Sequence, residues 1–180
     1  GIGGVINLVP KRAGDDPLTR VTFGYETQSQ FGASVDVGRR FGPDNAVGVR
    51  VNGSVSDGET ALNGQDRNRN FLSAALDYRG ESLIASLDVY RTKDSFTGGS
   101  PAMFGFANPN IPAAPNPRTN QLRSAAGEQE NQAVIARAEY AFNSNVSVFA
   151  NVGRRNYDYS GWINGTHVHN IQPNGSAQVR

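Results

Sequence analysis

Seven stretches of this chain alternate apolar and uncharged residues on one parity with polar or charged residues on the other. Val47, Val49, Val51 and Val55 stand against Arg50 and Asn52, Leu83, Ala85, Leu87 and Val89 against Ser86 and Asp88, and Val134, Ala136, Ala138 and Tyr140 against Arg137 and Glu139. Successive side chains of a strand point to opposite faces, so a period of two specifies sheets with one apolar and one polar face. The pattern predicts antiparallel strands near 18–27, 30–41, 46–56, 70–79, 83–92, 132–142 and 146–157, paired in sequence order. Two architectures share this pattern. A soluble sandwich turns its apolar face to a core, whereas a membrane barrel turns it to lipid and its polar face to a wet lumen.

Loop lengths and aromatic placement favour the barrel. The connections after the second, fourth and sixth stretches are short: Gly42-Pro43-Asp44-Asn45, Gly80-Glu81-Ser82 and Asn143-Ser144-Asn145. Those after the third and fifth are long, running from Ser56 to Asn70 and from Thr92 to Gln132. Outer-membrane barrels alternate in this way, with short periplasmic turns and long extracellular loops. The three stretches that run down to short turns each end in apolar-face aromatics: Phe41, Tyr78, and Tyr140 with Phe142. Rings at one level of successive strands make a girdle at the headgroup boundary. The expected fold is therefore all-β, an antiparallel up-and-down transmembrane barrel of which this chain supplies about seven strands.

Composition agrees with a barrel wall and excludes several functions. Hydrophobic residues make up only 37% of the 180, and 21 are glycine, as a polar lumen face and long loops would require. A net charge of +1 without a basic stripe gives no nucleic-acid footprint. There is no cysteine, hence neither disulfide nor thiolate metal site. No run approaches the length of a membrane helix. No nucleophile–base spacing, phosphate loop or Gly-x-Ser-x-Gly turn is present, so nothing supports an enzyme. His167 and His169 share one strand parity but lack a third ligand, and the oxygen-rich loop from Asp57 to Asp66 lacks EF-hand spacing.

Seven such strands leave two open edges, which a bilayer does not tolerate, so the chain is expected to be a piece of a longer barrel. Its first twelve residues, Gly1-Ile2-Gly3-Gly4-Val5-Ile6-Asn7-Leu8-Val9-Pro10-Lys11-Arg12, resemble the end of the plug domain of TonB-dependent receptors. The resemblance continues through Val21–Tyr25, Gly38-Arg39-Arg40-Phe41 and Val49-Arg50-Val51-Asn52-Gly53, which look like the first hairpins of siderophore receptors. It implies residues 1–13 as plug end and linker, residues 14–180 as the N-terminal part of the barrel, and residence in the bacterial outer membrane. It further implies import of a ferric siderophore as the transported ligand, with no covalently bound cofactor. The energy would come from the TonB complex through a plug that mostly precedes this sequence. Such receptors have about twenty-two strands, so about two thirds of the barrel would lie outside this sequence. A passive porin-like barrel and a soluble β-rich adhesin or carbohydrate-binding domain remain as alternatives.

Candidate ligand contacts follow from parity and position. If odd-numbered strands run toward the extracellular side, the lumen parity at their far ends carries Tyr90, Tyr157 and Tyr159, with Trp162 next. The long fifth connection adds Phe104, Phe106 and Arg118. Rings offer contact area to a bulky chelate, while Arg and Tyr hydroxyls bond its oxygens.

Overall fold

The computed structural model describes residues 3–4, 9–26, 28–99, 102–106, 116–120, 122–161, 166–171 and 178–179. Seven strands form one antiparallel sheet: β1 (Leu18–Glu26), β2 (Gln30–Phe41), β3 (Val47–Asp57), β4 (Asp66–Arg79), β5 (Leu83–Thr97), β7 (Gly127–Asn143) and β8 (Val146–Gly161). They pair in that order, so each expected stretch is a strand and each expected neighbour a neighbour. A second, three-stranded sheet joins β6 (Ala102–Phe106), β9 (Thr166–Ile171) and β10 (Gln178–Val179). The period-two reading did not foresee it. β6 runs parallel to β9, pairing Ala102 with Thr166 and Phe104 with Val168, and such distant pairing leaves no local pattern.

The main strands are longer than their apolar alternation at one end only. β4 begins at Asp66, β5 runs on to Thr97, β7 begins at Gly127 and β8 continues to Gly161. The connections read as long loops are thus partly strand, leaving residues 58–65 and 98–126 between the strands. The reason is physical: beyond the lipid both faces are wet, so the ladder continues while the apolar signal stops.

Rows of opposed residues show how the sheet sits in a bilayer. One outer row reads Thr19, Val37, Val51, Ala74, Val89, Val134 and then Arg154. The next reads Val21, Val35, Gly53, Leu72 and then Arg91, Gln132, Asn156. A third reads Phe23, Ala33, Val55 and then Asn70, Lys93, Glu130, Asp158. The upper margin of the apolar band therefore drops steadily from β1 to β8. It falls by about 26 Å along the strands over about 29 Å across them, at the usual rise and strand spacing. That slope corresponds to a strand tilt of about 40°, within the range of membrane barrels.

Burial is inverted relative to a soluble domain. Phe23, Leu72 and Val152 are 80%, 60% and 71% exposed, whereas Asp36, Asp77 and Asp88 are buried on the opposite face. Val49, Leu76, Leu87 and Ala136 fall in a single outer row, and Arg50, Asp77, Asp88 and Arg137 lie on the other side. The lower girdle holds Phe41, Tyr78, Tyr140 and Phe142, all exposed, with the last two rings in edge contact at 5.0 Å. An upper pair, Tyr25 and Phe31, packs at 4.9 Å where β1 meets β2.

Candidate functional site: the two levels of the lumen wall

The lower lumen wall is a lattice of ion pairs crossed by the segment 9–16. Asp36 of β2 accepts both a 2.6 Å and a 2.7 Å bond from Arg50 of β3, and Lys11 adds a third at 3.1 Å. Asp88 of β5 accepts from Arg137 of β7 at 2.7 Å and from both terminal nitrogens of Arg12. Arg40, whose side chain is 1% exposed, donates to Asp77 at 2.8 Å. The segment's carbonyls are held as well: Arg50 donates to the Arg12 oxygen at 2.7 Å and Arg40 to that of Ala13 at 3.1 Å. Ala13 is wholly buried against the wall. Two glycines make the room. A Cβ on Gly38 would come within 3.1 Å of the Arg50 side chain, and one on Gly48 would overlap both Arg40 and Asp77. Each acid of this lattice has a cationic partner, and the lattice fixes the chain that lies on it.

The upper lumen wall is built from different chemistry. On β7 the lumen parity reads Gln129, Asn131, Ala133, and on β8 Arg155, Tyr157, Tyr159. Ala133 stands between Tyr90 and Arg155 in one row, and Asn131 between Thr92 and Tyr157 in the next. The Arg155 Nε donates to Asn131 at 2.7 Å, and its guanidinium lies 5.3 Å from the centre of the Tyr157 ring. Tyr157 donates its hydroxyl to Gln129 at 3.1 Å and packs on Tyr159 at 5.7 Å. Beside this group opens a trough of about 480 Å³, lined on the lumen side by Gly24, Gly32, Ser34, Ser56, Phe71 and Gln129. The small residues make a floor low enough for a bulky guest. A larger groove of about 590 Å³ lies on the outer face where Gly53 separates Val35 from Leu72, and it belongs to the lipid side.

The carboxylates of β7 and β8 at this level point the other way, while Asp94 of β5 stays on the lumen side, paired with Arg67 at 2.6 Å. Glu128 and Glu130 take the outer parity, where Glu130 pairs with Arg91 at 2.8 Å and Glu128 with Lys93 at 3.0 Å. Donation from Arg91, and then from Gln132, holds the Glu130 carboxyl down to about 2. This ladder stands above the apolar band, facing solvent.

The expected ligand residues divide four ways. Tyr90, Tyr157 and Tyr159 share the lumen face as parity required. Phe104 and Phe106 lie in β6, which the second sheet joins to β9, beyond the Tyr157–Trp162 stretch. Arg118 is an exposed turn residue whose carbonyl accepts from the Asn63 amide at 3.1 Å. Trp162 lies outside the described residues. Sequence reasoning missed Arg155, although it shares the parity of Tyr157 and Tyr159. It also missed Asn120 and Gln65, which clip the two long connections together. Asn120 donates to the carbonyls of Asn63 (2.8 Å) and Gly98, and Gln65 to that of Gly99 at 2.7 Å. His169 belongs to β9, and no cluster of metal-binding side chains occurs among the described residues.

Known proteins share this fold. The chain is 40% identical over 163 residues to the ferrichrome receptor FcuA of Yersinia enterocolitica, covering 89% of this chain and 21% of that protein. It superposes with a TM-score of 0.76 and 32% identity on BauA, the ferric preacinetobactin receptor of Acinetobacter baumannii, covering 88% of this chain and 24% of BauA. The chain matches a barrel segment of the TonB-dependent siderophore receptors. The ferripyoverdine receptor of the outer membrane of Pseudomonas aeruginosa shares the fold alone, with a TM-score of 0.70 at 15% identity over 94% of this chain and 23% of that one. No family model matches the chain. The chain thus spans between a fifth and a quarter of the length of these relatives. Within the TonB-dependent receptor fold the outer face of such a wall is the lipid face of an outer-membrane barrel, and the ion-pair lattice and the trough lie on the opposite, lumen side.

Proposed function

We propose that this chain is the early barrel wall of an outer-membrane receptor that imports a ferric siderophore under TonB control. Residues 1–13 form the end of its plug and the linker, and residues 14–180 the barrel. The observation that carries the reading is the division of the lumen wall. An ion-paired lattice grips the linker below, while phenols, amides and an open trough face the lumen above. The chelate is taken at the upper level, by Tyr90, Tyr157 and Tyr159 on the wall and by Phe104, Phe106, Arg118 and Trp162 from the connections. Coupling to TonB runs through the plug, and the Arg12–Asp88 and Lys11–Asp36 contacts are where plug and wall are tied.

The test is iron uptake by a receptor-deletion strain carrying the full-length gene, supplied with a panel of iron-loaded siderophores under iron limitation. One siderophore class should restore growth. In binding assays on the assembled receptor, Tyr90→Ala, Tyr157→Ala, Phe104→Ala and Trp162→Ala should each cost about 1–3 kcal/mol for rings that touch the chelate. That is a loss of roughly five- to hundredfold in affinity. Parent-like binding by all four would remove the site assignment, and failure of every ferric siderophore to restore growth would remove the receptor reading.

A further inference from the structure

We infer that Asn120 and Gln65 are positioning residues. They lock the β3–β4 and β5–β7 connections into one body, which sets where β6, with Phe104 and Phe106, stands before a ligand arrives. The inference rests on the receptor reading above and deepens it. Three observations carry it. First, the joint closes on both ends of the longer connection, which leaves β5 through Gly98 and Gly99, carries β6 and returns to β7 past Asn120 and Ala125. The Asn120 amide donates to the Asn63 carbonyl at 2.8 Å and to the Gly98 carbonyl. One side chain thus spans the β3–β4 turn, the departing chain and the returning chain. Gln65 donates to the Gly99 carbonyl at 2.7 Å, and its own oxygen accepts from the Thr60 hydroxyl at 2.7 Å. Backbone bonds cross the same joint, from the Asn63 amide to the Arg118 carbonyl at 3.1 Å and from the Gly99 amide to the Ala125 carbonyl at 2.9 Å.

Second, the joint is dry. Asn120 and Gln65 are only 6% and 8% exposed, although both lie in connections rather than in strands of the wall. A buried amide keeps its geometry, because opening the joint strands donors and carbonyls that have no other partner. Third, the backbone is shaped for close approach at this point. Gly98 and Gly99 take φ of +77° and +147°, and a Cβ would drive the first into the Gly64 carbonyl and the second into the Asn120 amide. A connection held at one end would sweep through many positions. Pinned at both ends to a short turn it has few, and β6 starts at Ala102, close behind Gly99. Such preorganisation lowers the ordering cost of binding and spares association a conformational step.

The test is hydrogen exchange on the full-length receptor in lipid vesicles, first without ligand. Asn120→Asp keeps the shape of the side chain and turns both of its bonds into contacts between oxygens. It should speed exchange of the Asn63 and Gly99 amides together, by about tenfold, the size expected when a buried hydrogen bond is lost. Gln65→Ala should do the same from the other connection. The denaturant midpoint of the barrel should stay parent-like in both variants. The ferric siderophore found by the uptake panel should then associate severalfold more slowly with Asn120→Asp, at an unchanged dissociation rate. Faster exchange at one amide only, or at neither, would overturn the single body. A lowered midpoint would also overturn the inference, by showing that these amides hold up the barrel itself. Faster exchange with a parent-like association rate would overturn the positioning role. Each of these results leaves the receptor reading standing. A parent that binds no ferric chelate would overturn that reading and the positioning role with it, while the exchange rates would still decide the joint.

Discussion

The two levels of the lumen wall use the same strands to opposite ends. Below, every acid is answered: Asp36 by Arg50 and Lys11, Asp77 by Arg40, Asp88 by Arg12 and Arg137. Above, the ion pair of Arg67 with Asp94 remains on β4 and β5, while on β7 and β8 the acids take the outer face and the inward parity carries Gln129, Asn131, Arg155, Tyr157 and Tyr159. Charges buried in pairs hold a structure and offer little to a guest, because each charge is already compensated. Exposed phenols and amides contribute little to folding and stay available. The contrast separates a region that holds the segment 9–16 from one that stays open to a guest, the level at which we propose the chelate is taken.

Breaking the lower level should have the largest effect on folding. Asp77→Asn leaves Arg40 buried and uncompensated, which costs about 3–5 kcal/mol when one member of a buried pair is removed. A shift of that size should appear in the denaturant midpoint of the full-length receptor in lipid vesicles. A parent-like midpoint would mean that the lattice is solvated and holds nothing.

The face assignment sets the next effect. Leu87 lies in the outer row with Val49 and Leu76, and Ser86 points to the lumen beside Arg137. Leu87→Arg should lower stability by about 2–4 kcal/mol, the cost of a cation at mid-bilayer depth, and Ser86→Arg by much less. Equal folding yields for the two variants would undo the inside–outside distinction on which the comparison depends.

The smallest effect belongs to the outer ladder. The Glu130 carboxyl sits near 2, below its ordinary value of 4.5, because Arg91 donates to it. A depressed carboxyl stabilises the fold above the unfolded value and loses that contribution as the pH falls from about 4.5 toward 2. A carboxylate titration followed by infrared or NMR should place Glu130 near the lower value and move it up in Arg91→Gln. Between pH 5 and 8, where the contribution is fully present, Arg91→Gln should lower stability slightly and leave ligand binding unchanged. A change in binding would mean that the ladder belongs to the recognition surface after all.

Legibility followed the lipid. Where one face meets hydrocarbon, as at Val49, Leu76 and Leu87, alternation gave the strands, their order and their faces. Where both faces are wet, as at Arg67–Asn70 or Glu128–Asn131, the strands continue without an apolar signal and look like loop. Parity placed Arg50, Asp88 and Arg137 in the lumen but not their partners, since pairing Arg12 with Asp88 is a matter of where a distant segment crosses the sheet. Arg155 was within reach, because parity carried from Tyr157 back by two residues puts it on the same face. Asn120 was not, because its two acceptors come from separate connections and leave no spacing to read. The parallel contact of β6 with β9 was hidden for the same reason.

The division of the wall is tested most directly by site-selective thiol labelling, to which this cysteine-free chain lends itself. Asn131→Cys marks the upper lumen level, and Asn151→Cys, facing Arg137 in the register, the lower. In the assembled full-length receptor, with no other cysteine accessible, saturating ferric siderophore should slow labelling at position 131 severalfold and leave position 151 unchanged. Protection at 151 without protection at 131, or no protection at either during saturated binding, would contradict the account.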